Sequence, residues 1–413
     1  MKTTLALLAL LLGACAAANA QVAPAATGGA ASLNYSLRYS QTADFYGNGL
    51  GVQQRAIASG DLNYTNGSER LPFAVDYGGG YMWSIAGTNY LNGLFQHLLL
   101  SQGIDWHKWR VTVNDDVSYT PQAPTTGFTG IPGVGEPVEP PPSDQSILTL
   151  KTHAVSNAAS GYVNHPLNYA TTVNAGITSE LRRYPDGNGL NTDQLMANAS
   201  VSRRLDARNS LIGNFTFSQF SYPDADFSFH SEAGLLGFSR VWNAKISSSI
   251  SAGPEWKGSS DSAFVPSSTT VAANADVLYQ YRFVTASLAY VRGASSGGGY
   301  LFGAEADTVS ANYMQRFGRK LSMELSGDYR RTAGLINNGE TNAKYGVVQL
   351  TRSFGRHYTA FAGYTVIDQS SSLNLSSILT GQLQGHILTD VLQIASFGVS
   401  YTPQKTRLVR PDF

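Results

Sequence analysis

"YMQRFGRKLSMELSGDYRR", residues 313–331, joins two patterns in one stretch. From Leu321 to Tyr329 every second residue is apolar or small (Leu321, Met323, Leu325, Gly327, Tyr329), and Ser322, Glu324, Ser326 and Asp328 stand between them. Just before, Arg316-Phe317-Gly318-Arg319-Lys320 concentrates positive charge around a glycine. A period of two is the mark of a strand with one apolar and one polar face, here rising from a tight basic turn.

The same pattern runs through the chain. Leu33-Tyr35-Leu37-Tyr39 alternate with Asn34-Ser36-Arg38-Ser40, and Ala56-Ala58-Gly60-Leu62-Tyr64 with Arg55, Ser59, Asp61 and Asn63. Trp109-Val111-Val113, Tyr169-Thr171-Val173-Ala175-Ile177, Val271-Ala273-Ala275-Val277-Tyr279, Val284-Ala286-Leu288-Tyr290 and Phe397-Val399-Tyr401 repeat it. Short connections at 65–68, 103–105, 204–208, 240–245, 281–282, 316–320 and 352–356 alternate with Gly/Ser/Pro/Asn-rich segments at 42–53, 120–145, 222–229, 257–268, 293–305, 333–341 and 368–387. Basic turns recur every 34 to 42 residues or so, roughly one hairpin plus its loop, whereas a propeller blade places four strands in such a period. The expected fold is all-β, a single up-and-down antiparallel sheet. It has about eighteen strands if Ser146–Val155 and Leu167–Thr178 form a hairpin, and about sixteen if they do not.

Charge is balanced: 28 Lys+Arg against 28 Asp+Glu in 413 residues, only 14% charged, beside 42 Gly and 22 Tyr. Balance leaves no net field for nucleic acid or an anionic surface, and the glycine and tyrosine content suits sheets and turns. Lys2, the apolar run Leu5–Leu12 and Ala18-Asn19-Ala20 read as an export signal over 1–20, cleaved before Gln21. Leu12-Gly13-Ala14-Cys15, lipobox-like, is the alternative processing site. Cleavage after Ala20 removes the single cysteine and with it disulfides and thiolate metal sites. A short segment 21–30, strands over 31–402 and a tail 403–413 follow, and the Pro-rich stretch 120–144 reads as a loop because strands flank it. After the signal no run reaches about 18 consecutive apolar residues, which excludes a helical span and leaves a strand-built one open.

A sheet this wide must close or stack to hide its edges. Its polar face is Ser, Thr, Asn and Gln with scattered charges, and its apolar face mixes Ala and Gly with Leu, Val, Tyr and Phe, as contact with lipid permits. Tyr39, Tyr64, Tyr77, Tyr119, Trp256, Tyr279, Tyr290, Tyr313, Tyr329 and Tyr401 lie near strand ends, where an interfacial girdle belongs. On these features the chain resembles the bacterial outer-membrane β-barrel proteins over residues 31–402. Its turns Arg316-Phe317-Gly318-Arg319 and Ser353-Phe354-Gly355-Arg356, with Ala362-Gly363-Tyr364, resemble the β-barrel porins found beside exopolysaccharide-export systems. The resemblance implies a Gram-negative outer-membrane location among lipid and lipopolysaccharide and contact with polysaccharide-export components. It also implies insertion by the barrel-assembly machinery, which reads a terminal aromatic, Phe413 or Tyr401.

A barrel of sixteen to eighteen strands encloses water unless a loop plugs it. Parity puts Arg38, Arg55, Asp61, Asp76, Arg110, Asp116, Asp276, Glu324, Asp328 and Arg330 on the lumen side, and the Pro-rich loop carries Glu136, Glu139 and Asp144. In general porins the third loop folds inward and sets acids across from a basic ladder. By position and charge, the loop acids and Arg38, Arg55 and Arg110 imply the same transverse field here. Asp115 breaks the pattern, because it shares a face with Val111, Val113 and Val117. A carboxylate facing lipid at mid-depth costs on the order of 2 kcal/mol, so a bulge at Asp115–Asp116, or a place above the membrane rim, is expected.

The expected function is passive passage of small hydrophilic solutes, with no cofactor and no metal. A non-conducting barrel that anchors a surface or export assembly is the alternative, and an outer-membrane hydrolase a third class. Against catalysis, the sequence has no Gly-x-Ser-x-Gly elbow, no His-Glu-x-x-His and no Cys/His cluster. His230-Ser231-Glu232 divides across the two faces of a strand and cannot form a relay.

Overall fold

Gly318 turns the chain at φ 74°, a left-handed conformation that glycine adopts without steric cost. The alternating runs on either side of it form strands Ala304–Phe317 and Leu321–Gly334. The computed structural model repeats that unit along its length. It describes Ala31 to Arg407 except residues 47–51, 87–91, 121–152, 188, 262–264, 300, 337–338, 373–390 and 404–405.

The strands are β1 Ser32–Tyr46, β2 Val52–Thr65, β3 Phe73–Ala86, β4 Gly93–Trp106, β5 Trp109–Thr120, β6 Ala154–Pro166, β7 Thr171–Arg183, β8 Thr192–Arg204 and β9 Asn209–Tyr222. There follow β10 Phe227–Asn243, β11 Ile246–Ser259, β12 Ser268–Tyr281, β13 Val284–Ser295, β14 Ala304–Phe317, β15 Leu321–Gly334, β16 Glu340–Phe354, β17 Tyr358–Ser371, β18 Val391–Tyr401 and the two-residue β19 Thr406–Arg407. Each long strand pairs antiparallel with its sequence neighbour, and β18 pairs back on β1, so the sheet is a closed up-and-down barrel of eighteen long strands. That is the larger of the two expected counts. β19 pairs with Ser32 and Leu33, which draws part of the expected tail into the closing seam. One end of the barrel carries the tight turns (the turn end), and the other carries the longer connections, including those between Thr120 and Ala154 and between Ser371 and Val391 (the loop end).

Closure gives each strand an inner and an outer face. Leu37, Leu236, Ile250 and Phe397 stand outward, 57%, 75%, 60% and 58% exposed, while Arg55, Ser231 and Glu255 on the opposite parity are covered. Leu321, Met323, Leu325 and Tyr329 point outward from β15 and Glu324 and Asp328 inward. All ten expected girdle aromatics take the outward parity, and Trp106, Trp109, Trp242 and Phe354 join them beside the turns.

Several boundaries differ from the sequence reading. The β4–β5 turn is His107–Lys108, and Gly103-Ile104-Asp105 lies within β4. Gly103 serves close approach instead of turning: its N–H donates to Pro72 O at 2.7 Å, and a Cβ would stand 2.5 Å from the Pro72 ring. The sixteen-versus-eighteen hairpin exists but is shifted, with a turn at 167–170 in which Asn168 Oδ1 accepts the N–H groups of Ala170 and Thr171, both at 2.9 Å. Connections at 223–226, 296–303 and 335–339 are shorter than expected, because polar and small inward residues at strand ends mimic loop composition.

Asp115 is a further correction. The register runs unbroken through Leu100↔Asp115 and Asp115↔Ala159, so there is no bulge. The side chain keeps the outward parity midway along β5, and Asn157 Nδ2 on the adjacent strand donates to it at 2.7 Å. A neighbouring amide, and not a change of register, supplies the carboxylate's partner.

Candidate functional site: the inner wall of the barrel

Alternation turns every second side chain of β1–β5 inward, and charges meet there in couples. Arg38 lies 3.7 Å from Asp61, which also accepts from Ser36 Oγ at 2.8 Å. His97 Nε2 lies 2.9 Å from Asp116, the two side chains 46% and 43% exposed. Near the turn end Arg110 is held by Asp105 at 2.7 Å. Asp76 and Asp276 also face inward, and no base stands within ion-pair distance of either among the described residues. Hydroxyls and amides line the wall from β5 to β8: Ser118 meets Ser156 at 2.7 Å, Asn114 donates to Ser160 at 3.4 Å and Asn174 to Ser200 at 3.3 Å.

A second set of inward charges is buried toward the loop end. Arg55 lies 3.2 Å from Asp44 and donates through Nε to Thr42 at 2.8 Å. On β7, β11 and β15 one arrangement recurs, an acid followed two residues later by a base: Glu180 and Arg182 at 2.5 Å, Glu255 and Lys257 at 3.2 Å, Asp328 and Arg330 at 3.8 Å. A spacing of two keeps both side chains on one face, and the three strands that carry such a couple stand four apart. Burying these charges is tolerable only because each keeps a counter-charge or donors. Glu255 accepts from Ser231 at 2.7 Å, from Thr270 at 3.1 Å and from the N–H of Ala294 at 2.9 Å. Pairing between β12 and β13 ends at Ala273↔Arg292, so the carboxylate takes up an N–H beyond the reach of the ladder.

At the loop end the inner wall turns apolar. Phe220, Tyr222, Phe227 and Phe229 of β9 and β10 pack with Leu190, Val265 and Phe302 from three connections. Tyr222 Oη donates to Ser296 O at 2.7 Å. Beside them, in the β7–β8 connection, burial pushes the Tyr184 phenol above its ordinary range. Ala343, Tyr345, Ile367, Leu392 and Ile394 form a second inward cluster on β16–β18. These positions depart from the polar inner face that alternation implies, because toward the loop end the pattern inverts: Gln219, Ser228, His230, Lys344 and Asp368 hold the outward parity beside them.

Of the residues expected to line the lumen, Arg38, Arg55, Asp61, Arg110, Asp116, Glu324 and Asp328 all take inward positions. Arg55 and Asp328 are buried; Arg38, Asp61, Asp116 and Glu324 are half-buried and Arg110 is exposed. Glu136, Glu139 and Asp144 lie outside the described residues. The sequence reading missed Asp44, His97, Glu180, Arg182, Glu255 and Lys257. Carrying the alternation one to four residues past the assumed strand ends recovers Asp44, Glu180, Arg182 and Lys257. The wall also separates His230, which stacks outward on Phe217, from Ser231, which donates inward to Glu255.

No family model and no curated protein sequence matches the chain. Among solved structures it is similar to Pseudomonas aeruginosa OccK2 (OpdF), in a complex with glucuronate, at 10% identity and a TM-score of 0.48, over 91% of this chain and 99% of that one. Acinetobacter baumannii OccAB2 is similar at 8% identity and a TM-score of 0.48, over 91% and 98% of the two chains. Pseudomonas aeruginosa OpdQ is similar at 13% and 0.43, over 90% and 98%. Likeness at this level says nothing of what the chain carries.

Proposed function

We propose that the protein is an outer-membrane porin, a barrel whose water-filled interior passes small hydrophilic solutes down their gradients. The observation that carries this is a closed wall of eighteen long strands, apolar outside and polar along the middle of its inside. A wall of that girth is too wide for its own side chains to fill. Its outside matches lipid, and its closure leaves no unpaired strand edge in hydrocarbon. Strands of 11 to 17 residues meet or exceed the span they must make, roughly 9–11 residues at barrel tilt. In such barrels the short turns face the periplasm and the longer connections the exterior. Contact with lipopolysaccharide and insertion by the barrel-assembly machinery belong to the same proposal.

The inward apolar clusters favour a second reading, a barrel that conducts little and anchors a surface or polysaccharide-export assembly. Two measurements separate the readings. Unboiled refolded protein should migrate faster than boiled protein in a detergent gel, and equal migration would sink the membrane barrel. In planar bilayers discrete conductance steps are expected, whereas lasting silence from protein that passes the gel test favours the anchor.

A further inference from the structure

Among the described residues, the basic side chains divide by what they touch. Those in the lumen and toward the loop end each have a carboxylate at ion-pair distance, as Arg331 has Glu340 at 2.8 Å and Lys344 has Asp368 at 3.2 Å. At the turn end the stretches 203–208, 240–245, 281–283, 316–320 and 352–356 hold eleven basic residues and one acid, Asp206. None of the eleven is in an ion pair. Asp206 itself is engaged by Asn209 and the Arg208 N–H, which with the more distant charge of Arg240 hold its carboxyl below the usual carboxylate range.

These stretches are five consecutive turns, linking β8 through β17, so the cations form one contiguous arc. The turns at 66–72, 107–108 and 167–170 carry only Arg70 and Lys108, with Glu69. Four cations of the arc rest on outward aromatic rings. Arg240 stands 4.5 Å from the Trp242 centroid and Lys245 3.8 Å from that of Tyr281; Arg282 lies 5.2 Å from Tyr281 and Arg352 5.2 Å from Phe354. Trp242 is 52% exposed, and Arg240 Nε is covered yet donates to nothing.

An outward ring with a cation against it, on the face that lipid covers, seats an anionic headgroup. The ring body belongs at the interface, and the cation reaches the phosphate beside it. A soluble acidic partner would meet the rim from below and has no use for cations laid on outward rings. We propose that the β8–β17 arc binds the anionic phosphodiester headgroups of inner-leaflet phospholipid, phosphatidylglycerol above all, in preference to zwitterionic ones. The inference rests on the outer-membrane reading. Each cation near an anionic surface shifts partitioning on the order of fivefold.

The test refolds the full chain into vesicles of phosphatidylcholine and into vesicles that mix it with phosphatidylglycerol. The gel shift checks insertion, and native mass spectrometry after mild extraction identifies the retained lipid. Wild type should retain phosphatidylglycerol severalfold above its share of the vesicle. The variant Arg240→Gln/Lys245→Gln/Arg282→Gln/Arg352→Gln should lose most of that enrichment, and Arg70→Gln/Lys108→Gln should keep it. Retention in proportion to supply, or enrichment that survives the four substitutions, overturns the proposal. Should that variant not fold, high salt replaces it: enrichment of the wild type must collapse, and persistence overturns the proposal. Binding of soluble polyglutamate without lipid enrichment would reassign the arc to an acidic periplasmic partner. Failure to insert into either vesicle would instead remove the membrane reading on which the inference stands.

Discussion

Lys257 is the residue on which much of the buried charge converges, since its ammonium bridges Glu255 at 3.2 Å and Glu305 at 2.8 Å. Removing one partner of a buried ionic group leaves the others desolvated without compensation, and that is where such groups become costly. Lys257→Met should lower the stability of the folded barrel by about 3 kcal/mol, read as a lower urea midpoint of tryptophan fluorescence in vesicles. An unchanged midpoint would mean that donors around Glu255 and Arg292 beside Glu305 suffice alone. Residues like this one were hard to read in sequence, because Lys257 stood at the assumed start of a loop, and Asp44 inside one. Asp115 is legible as a breach of parity, but neither expected remedy, a bulge or a place beyond the strand's middle, is what the fold uses: the register is unbroken and Asn157 stands within 2.7 Å of it.

Among the elements, β10 and β11 show how local exceptions are absorbed. Pro254 has no N–H to give, and the pairing passes from Ala233↔Glu255 to Leu236↔Ala252 over the residues between. Gly253 lets the two backbones close there: a Cβ would stand 1.8 Å from the Gly234 carbonyl oxygen. Backbone on a paired strand cannot yield as a side chain does, so Gly253→Val should destabilise by about 2 kcal/mol or more, measured by the same unfolding assay. Gly213→Ala, with open space at its Cβ, serves as the tolerated control. Element type was legible almost throughout because period two needs only an apolar face and a polar one, and the closed wall supplies both along most of each strand. Boundaries were less so. Inward serines, glycines and asparagines at strand ends have loop composition, and Gly103 looked like a turn while serving a close approach to Pro72.

For the whole molecule, the distribution of inward charge matters more than its sum. The couples Arg38–Asp61 and Arg110–Asp105 cancel, and His97–Asp116 does so when the imidazole is protonated, which leaves Asp76, Asp276 and Glu324 as inward acids without a base at ion-pair distance among the described residues. An open channel with this wall should favour cations weakly. Asp76→Asn/Asp276→Asn should cut that preference about twofold, a modest effect because water and salt screen charges in a wide lumen, and reversal potentials in a salt gradient measure it. A preference unmoved by the pair would place the selecting groups elsewhere. Parity alone put most of these residues on the lumen side. Which of them pair, and which lie under apolar clusters, depends on inter-strand register, which one strand's sequence does not contain.

The seam between β1 and β18 also orders events in time. It joins Leu37 to Tyr401 and, through β19, Ser32 to Arg407, so the first strand made waits for the last before its outer edge is covered. Contacts so distant along the chain form late and slowly. Until then β1 offers a ready edge to any other strand it meets. The interval between synthesis and closure is therefore when this chain is most exposed to mispairing, and a chaperone that guards it has one edge to protect above all others.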